Sequence, residues 1–343
     1  IGYKRLLEPL AAAGHEAWFL PAPKGPELDL PAALETLPAM PDVVLERESL
    51  THRWVTTGLD RVPCPVVFWS LDTHLNLFWQ RRYARLYDRV LTTQPDWVEP
   101  LRAAGAPDPA VLGWLARPRP WRPWRQRSLP AAFVGRVTPQ RPVRAAMAEL
   151  LARHAQLAVF DDVPFEQVPD VYADARLVPN ETILAEVNLR LFEAAACGCL
   201  VLSPAQAAGQ EHFFAPGREY LPYADGLELL AGARWCAEHP DAAEAMARRA
   251  WTRSMTEHRP EHRAARLVEL VADLGVTRPA GREAARLRAL ARYELWRGER
   301  MDADPAALRD DLSQWPDDPA CVAALPDLAL AVSGRPDDDG RME

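Results

Sequence analysis

Short apolar segments alternate with amphipathic segments along most of this 343-residue chain, and this alternation restricts the fold more than any other feature. Residues 42–45, 65–69 and 89–92 are apolar and are bounded by turn residues. Such runs suit parallel strands that helices cover on both faces. The same alternation resumes at residues 131–134 and continues to about residue 257. The sequence therefore predicts an α/β protein with two Rossmann-like, doubly wound domains.

The first domain is expected to span residues 1–118. Residues 1–13 have the pattern of an amphipathic helix, and residues 15–20 that of a strand. A doubly wound domain normally begins with a strand that precedes its first helix. We therefore expect a first strand, with some ligand-binding residues, to be missing from this numbering.

A proline-rich segment, PRPWRPWRQRSLP, separates the first domain from a second one at residues 119–272. Proline at this density fits neither the interior of a helix nor a central strand, which favours an interdomain linker. The alternative is that its arginine and tryptophan side chains bind an anion or a nucleic acid.

Helical patterns alone continue over residues 273–343, and the chain finishes in the charged tail PDDDGRME. The patterns resemble a degenerate helical-hairpin repeat of the tetratricopeptide kind. One or two such repeats cannot bury a core alone. We expect this extension to dock on the main body, on another subunit or on a partner protein.

Composition limits the class of protein. A net charge of −8 argues against a protein that mainly coats nucleic acid or an anionic membrane. No apolar run approaches the roughly 20 residues that span a bilayer. Five cysteines at scattered spacing do not indicate a disulfide framework, and they fit a reducing compartment better. We expect a cytoplasmic protein, with peripheral attachment to the inner face of the membrane left open.

The stretch NETILAEVNLRLFEAAACGCLVLS at residues 180–203 carries the strongest indication of chemistry. It has the pattern of a loop, a helix of small residues, a glycine stop and a strand. Arg190 lies at the start of this helix, where free N–H groups and the helix dipole favour phosphate. Glu193, three residues later, shares its face and suits the hydroxyls of a ribose. The alternative is an ordinary surface helix with one Arg–Glu pair.

This stretch and the later GQEHFFAPGREYLPYADGLELL closely resemble the motifs of CgeB-like glycosyltransferases, relatives of the group-one glycosyltransferases with the GT-B fold. The matching residues are Asn188, Arg190, Phe192, Glu193, Cys197, Gly198, Phe214, Gly217, Glu219, Tyr223 and Asp225. The resemblance covers residues 1–272, more strongly in the second domain. It implies a GT-B fold and a nucleoside-diphosphate sugar as donor substrate, with no cofactor and no bound metal.

The resemblance also implies roles for residues of the second domain. Glu193 would hold the donor ribose, and Gly135, Arg136 and Arg190 would lie near the diphosphate. The segment that ends at Asn180 would lead into the donor site, to which we also assign Asn188.

One position departs from the family pattern. Related retaining enzymes place a second acidic residue eight positions before the ribose-binding one. Here that position is Ala185, and the nearest carboxylate is Glu186. We assign Glu186 as a catalytic candidate, with Asn188 or a backbone group as the alternative.

On the acceptor side, polar residues follow the predicted strands of the first domain. Asp72 and His74 come directly after residues 65–69, at a carboxyl end, and are expected to form a base-and-orienter pair for an acceptor hydroxyl. The alternative is a helix cap and a surface histidine. Gln94, which follows the next predicted strand, is a weaker candidate for this site. Glu46 and Glu48 are also candidates to face the cleft.

The sequence thus predicts a metal-independent glycosyltransferase of the hexosyltransferase type. It would move a sugar to a hydroxyl of a glycan, a polysaccharide or a protein-linked acceptor. Two alternatives stay open: a nucleotide-sugar epimerase of the same fold, and a non-catalytic GT-B scaffold with a helical interaction module.

Overall fold

The structure is a computed structural model and describes residue 1 and residues 3–333. The strands are, in chain order, β1 (Glu27–Asp29), β2 (Val44–Arg47), β3 (Val55–Thr57), β4 (Val66–Ser70), β5 (Arg89–Thr92), β6 (Ala110–Val111), β7 (Leu129–Val134), β8 (Leu157–Phe160), β9 (Ala175–Pro179), β10 (Leu200–Pro204) and β11 (Leu221–Tyr223). The helices are α1 (Leu7–Ala12), α2 (Leu30–Leu34), α3 (Thr73–Tyr83), α4 (Val98–Ala103), α5 (Pro142–Ala155), α6 (Val168–Ala173), α7 (Leu189–Ala196), α8 (Gly226–Glu238), α9 (Pro240–Glu257), α10 (Pro260–Val271), α11 (Gly281–Arg297), α12 (Pro305–Ser313) and α13 (Pro319–Ser333). The charged tail predicted at residues 336–343 lies outside the described residues.

The first domain is built on a four-stranded parallel sheet in the order β2-β4-β5-β6, beside a small parallel pair of β1 and β3. Every residue of β4 is buried. Val66 and Phe68 face one apolar cluster, whereas Val67 and Trp69 face another on the opposite side. This alternation follows from the two-residue period of a strand, and it confirms a sheet that is covered on both faces.

The second domain holds a five-stranded parallel sheet in the order β11-β10-β9-β7-β8. From β7 the chain first adds β8 on one side and then crosses to β9 on the other. The direction of winding therefore reverses between β7 and β9. In open α/β sheets, ligands bind at the carboxyl ends of the strands at such a switch point. The predicted fold class, two doubly wound α/β domains with a helical extension, is confirmed.

The proline-rich segment at residues 118–130 packs along the surface of the second domain. Trp124 is buried, and the ring centroid of Trp121 lies 5.7 Å from that of Trp251. Two of its arginines pair with acidic residues of the same domain, Arg119 with Asp170 and Arg122 with Asp174. These contacts support the linker interpretation over an open strip for nucleic acid.

The chain returns to the first domain after α9. Leu267 and Leu270 of α10 pack in one cluster with Trp69 and Leu112 of the first domain. Beyond it, α11 packs against α3, and Arg81 pairs with Glu294 at 2.7 Å. The helical extension therefore docks on the main body, as one of the expected alternatives. No helix among the described residues has the length and apolar character needed to cross a bilayer.

Two local predictions are wrong. Residues 15–20 form no strand, and His15 and Glu16 are exposed. The helix predicted over residues 1–13 is restricted to α1. Pro260 begins α10 after α9 has ended at Glu257, because proline has no N–H and suits the first turn, where that group would be unpaired.

Candidate active site between the two sheets

A cleft of about 240 Å³ opens between the two domains at the carboxyl ends of both sheets. Both domains supply its walls, as the resemblance to GT-B enzymes implies. The lining residues are Asp72, His74, Leu75 and Trp114 from the first domain, and Arg141, Arg144, Glu181, Ile183, Glu186, Val187, Asn188, Leu189 and Arg190 from the second. The structure thus brings five of the predicted site residues to one cavity, namely Asp72, His74, Glu186, Asn188 and Arg190.

Arg190 lies at the switch point of the second sheet. Its Nη1 donates to Oδ1 of Asn180, which follows β9, at 3.1 Å. Its Nη2 donates to the carbonyl of Val134, the last residue of β7, at 3.4 Å. The guanidinium also stacks over the ring of Phe133, 4.3 Å from the centroid. The two strands on either side of the switch point therefore hold one cation at the edge of the cleft.

Gly135 and Asn180 lie beside this cation. Gly135 has φ of +139°, and a Cβ there would lie 3.5 Å from Nη2 of Arg190. Asn180 is buried, and its amide donates to Ser203, which fixes the oxygen towards Arg190. Arg136 differs, because its side chain is exposed and does not line the cleft.

Asn188 is the N-cap residue of α7 and has an extended backbone conformation. Its amide donates to the carbonyl of Glu181 at 3.0 Å rather than capping the helix. Its Oδ1 is buried and, within residues 3–333, has no hydrogen-bond partner. The side chain therefore offers an unused acceptor beside the cleft.

Glu193 is 5% exposed and lies one turn along α7, outside the lining of the cleft. Its Oε1 accepts a hydrogen bond from Nη2 of Arg117 at 2.9 Å, and Arg117 also pairs with Glu166. Burial raises the pKa of Glu193, while the nearby Arg117 opposes that shift. The predicted ribose-binding carboxylate is thus already oriented by Arg117, which directly precedes the proline-rich segment.

Glu186 reaches the cleft through an unusual turn. Ala185 has a φ of +59°, a left-handed conformation that residues with a Cβ adopt at a cost. The carboxylate of Glu186 accepts backbone N–H groups of Ile183 and Leu184 at 2.8 and 2.9 Å. The turn therefore directs the carboxylate of Glu186 into the cavity. Glu186 is 8% exposed there.

Asp72 and His74 lie on the first-domain wall of the cleft, at the start of α3. Burial raises the pKa of Asp72 to about 7, with further contributions from the negative charges of Glu48 and Glu186. Burial lowers the pKa of His74, and Glu186 opposes that shift. The Nε2 atom of His74 lies 4.0 Å from Oε2 of Glu186. The imidazole thus faces the donor-side carboxylate, and within the described residues no hydrogen bond joins it to Asp72.

The expectation that Glu46 and Glu48 face this cleft is wrong, because both are 2% exposed and lie within the first domain. Glu46 accepts hydrogen bonds from Thr56, Tyr83 and Tyr87. Glu48 accepts the backbone N–H groups of Leu71 and Asp72 at 2.7 and 3.0 Å. It also accepts from Asn76 and Arg53. Glu48 thus lies beneath the loop that carries Asp72.

Sequence reasoning missed a second basic group, Arg141 and Arg144, at the start of α5. Arg144 donates from Nε and Nη2 to Oε2 of Glu181, at 2.9 and 2.8 Å, and Arg141 lies 3.8 Å from the same oxygen. The pattern GRVTPQRPVR, with basic residues around a proline that begins a helix, carried this information. Together with Arg190, the cleft has three guanidinium groups at two helix starts.

Within residues 3–333, no group of three or more histidine, cysteine, aspartate or glutamate side chains is arranged to hold a metal ion. The groups in the cleft that suit an anion are its three arginines. Guanidinium groups bind phosphate in a bidentate manner.

The second domain matches a known protein family. Residues 118–269 match a family described as glycosyl transferase-like. That match confirms the prediction of a glycosyltransferase domain, and it covers the second sheet and the helix α7 that carries Arg190. No curated protein matches the chain in sequence.

Solved structures show more distant similarity. HepE of Anabaena, in complex with UDP and glucose, is 13% identical over 68% of this chain and 78% of that chain, with a TM-score of 0.49. Sucrose-phosphate synthase of Thermosynechococcus elongatus is 14% identical over 60% and 67%, with a TM-score of 0.44. The pneumococcal O-GlcNAc transferase GtfA, in complex with UDP and GlcNAc, is 11% identical over 61% and 52%, with a TM-score of 0.43.

Proposed function

We propose that this protein is a metal-independent, CgeB-like glycosyltransferase of the hexosyltransferase type. It transfers a sugar from a nucleoside-diphosphate sugar to a hydroxyl of a glycan, a polysaccharide or a protein-linked acceptor. The observation that carries the proposal is the position of Arg190. Its guanidinium lies at the switch point of the second sheet, faces the interdomain cleft and belongs to the first turn of α7.

The donor would bind mainly to the second domain. Its diphosphate would lie against Arg190 and the start of α7, where the free N–H groups and the helix dipole favour negative charge. Arg141 and Arg144 would add positive charge as the phosphate ester leaves. Gly135 allows the backbone to approach this region closely, since it carries no side chain. The ribose hydroxyls would reach Glu193 through the oxygen that Arg117 does not engage.

The acceptor would enter from the first domain, towards Asp72. A carboxyl group with a pKa of about 7 is half deprotonated at neutral pH, which suits a general base. The acceptor oxygen would form a bond to the anomeric carbon and give its proton to Asp72. The bond from that carbon to the phosphate oxygen would break, and the nucleoside diphosphate would leave. Glu186 or Asn188 would contact the transferred sugar.

Calorimetry with uridine, guanosine and thymidine diphosphates tests the donor site directly. We expect one of them to bind with micromolar affinity or better. Incubation with the matching sugar nucleotides and a panel of glycan acceptors, followed by mass spectrometry, tests transfer. A well-folded protein that binds none of the three nucleotides would support the non-catalytic scaffold instead.

One observation favours a second candidate, a nucleotide-sugar epimerase. Asp72, His74 and Glu186 line the same cavity, as an enzyme that deprotonates and reprotonates one bound sugar would require. Product analysis with and without acceptor separates the two activities. A change in sugar configuration that needs no acceptor would favour the epimerase.

We also propose that the protein works in a reducing, cytoplasmic compartment, because all five cysteines are buried and unpaired. The helical extension is a candidate surface for self-association or for a partner protein.

A further inference from the structure

The backbone of Val187 is held by side chains of the opposite domain. Its N–H donates to Oε1 of Gln94 at 2.9 Å, and its carbonyl accepts from Nε2 of Gln94 at 2.8 Å. The same carbonyl accepts from the indole N–H of Trp114 at 2.9 Å. Val187 is 0% exposed and Gln94 is 2% exposed. One amide of the first domain thus satisfies both backbone groups of a residue in the second.

The position of Val187 places this contact beside the proposed sugar-binding residues. It lies between Glu186 and Asn188, the two residues proposed to contact the transferred sugar, and it directly precedes the N-cap residue of α7. The side chains of Asp72 and His74, on the other wall, belong to the same domain as Gln94. The contact therefore joins the donor-side segment to the domain that supplies the acceptor-side groups.

The first domain orients Gln94 before it meets Val187. Its backbone N–H donates to Oγ1 of Thr92, the last residue of β5, at 3.1 Å. Its Nε2 also lies 3.0 Å from Oγ1 of Thr93. These contacts fix which way the amide faces, so the oxygen meets an N–H and the nitrogen meets a carbonyl. A side chain held on the end of a central strand is a precise anchor.

We infer that Gln94 is a positioning residue, which holds the segment 186–188 at the distance from Asp72 and His74 that sugar transfer requires. This inference rests on the proposed function. Gln94 itself touches neither donor nor acceptor in this arrangement. Its effect passes through the backbone of Val187, because a displacement of about 1 Å between reacting groups is enough to lower a rate 100-fold.

The position of the other donor-site residues makes the inference specific. Arg190 and Gly135 are held within the second domain, and Glu193 is held by Arg117; none of these contacts involves Gln94. Loss of the Gln94 contact should therefore leave the affinity for the nucleoside diphosphate nearly unchanged. It should lower the rate of transfer and allow more hydrolysis of the donor, since the walls of the cleft are no longer held together.

The test compares Gln94→Met, which keeps the size of the side chain but removes its amide, with the wild-type full chain. Hydrogen exchange of the peptide that covers residues 183–189 reports the contact without any substrate. We expect its exchange to be at least tenfold faster in Gln94→Met. We also expect kcat for transfer to fall at least tenfold, and calorimetric Kd for the nucleoside diphosphate to change less than threefold. Trp114→Phe, which removes one bond to Val187, should show a smaller change of the same kind.

Val55→Ala is the matched control for lost stability, because Val55 is fully buried in β3 and lies in the first-domain core. It should lower Tm without accelerating exchange at residues 183–189. Wild-type exchange and kcat in Gln94→Met would overturn the inference, as would an equal loss of kcat in Val55→Ala at the same Tm. A wild-type protein that transfers no sugar contradicts the proposed function instead, and the exchange measurement still decides whether Gln94 holds the segment.

Discussion

The Nε2 atom of His74 lies 4.0 Å from Oε2 of Glu186, and this contact spans the cleft between the two domains. Both side chains are largely buried, so solvent screens the negative charge of Glu186 poorly. Glu186 also contributes to the raised pKa of Asp72. Protonation on the acceptor side therefore depends on a carboxylate of the donor side, and pH is an informative probe of the assembled cleft.

We expect the transfer rate to depend on the ionisation of Asp72. Its pKa of about 7 means that kcat should rise with pH as the carboxyl group loses its proton, and should fall as pH drops below 7. Asp72→Asn should lower kcat by about 100-fold or more while donor affinity changes little, since general-base catalysis contributes about 10²–10⁴-fold. The measurement is kcat against pH, with donor Kd from calorimetry. A larger loss of donor affinity than of kcat would remove Asp72 from the catalytic role.

Glu48→Gln tests the electrostatic origin of that pH dependence. Glu48 is a negative neighbour that raises the pKa of Asp72, and the glutamine keeps a similar shape with an oxygen that accepts hydrogen bonds. We expect the acidic limb of the kcat profile to move to lower pH in this variant. An unchanged limb in a protein with near-native Tm would argue that another group controls the rate.

Arg190→Ala should weaken binding of the nucleoside diphosphate. A hydrogen bond between charged groups contributes about 1.5–3 kcal/mol, so the loss should be about 10- to 100-fold in Kd. Arg153→Ala is the matched control, because Arg153 is exposed on α5 and pairs only with Glu149 among the described side chains. Calorimetry on both variants provides the comparison. Equal affinity in the two would remove Arg190 from the donor site.

Glu193→Ala should also weaken donor binding by about one to two orders of magnitude, through lost hydrogen bonds to the ribose. Binding of inorganic pyrophosphate, which has no ribose, should be unaffected by this change. Calorimetry with both ligands distinguishes the loss of a ribose contact from a general disturbance of α7. A parallel loss for pyrophosphate would point to that disturbance, which the buried pair with Arg117 makes a necessary control.

Most of the fold could be predicted from local sequence patterns. The strand Arg89–Thr92 has the predicted bounds, because an apolar run is a property of neighbouring residues. The helix α3 was missed, because its sequence THLNLFWQRRY places Thr73, Asn76 and Gln80 in buried positions. Those polar side chains are buried because hydrogen bonds within the first domain satisfy them, which no periodicity reveals.

In the candidate site, too, local patterns predicted some residues, whereas contacts between distant residues could not be predicted. Arg190 and Glu193 were found from their spacing on one helix, and Asp72 from its place after a strand. The pairing of Arg117 with Glu193 and of Gln94 with Val187 joins residues 76 and 93 positions apart. Such contacts depend on how two domains meet, and one sequence contains no local sign of them.

His258 shows how far burial can change an interpretation. The polar sequence EHRPEHR at residues 257–263 is typical of a solvated turn, yet His258 is 4% exposed and its ring packs against Phe192, Phe213 and Phe214. Its Nδ1 accepts from Arg263 at 2.9 Å, and its Nε2 donates to the carbonyl of Phe213 at 3.0 Å. Burial, together with the positive charge of Arg263, lowers the pKa of His258 to about 3.

The stability of the protein should therefore depend on the neutral form of His258. In the unfolded chain the imidazole takes up a proton near pH 6.5, whereas in the folded protein it does so only near pH 3. Between these pH values the unfolded state binds more protons. The contribution of this group to the free energy of unfolding is therefore complete above pH 6.5 and is lost as the pH falls. The slope for one such group is at most about 1.4 kcal/mol per pH unit.

His258→Phe places a ring of similar shape in the same aromatic cluster and removes the titrating group. Its Tm at pH 7.5 should be lower than that of the wild type, because Arg263 and the carbonyl of Phe213 lose a partner. Between pH 7 and pH 5, however, its Tm should fall less steeply than that of the wild type. His154→Ala, at an exposed position on α5, should keep the wild-type slope. Parallel Tm curves for wild type and His258→Phe would show that His258 does not stay neutral in the fold, since a buried neutral imidazole must oppose folding as acid protonates the unfolded chain.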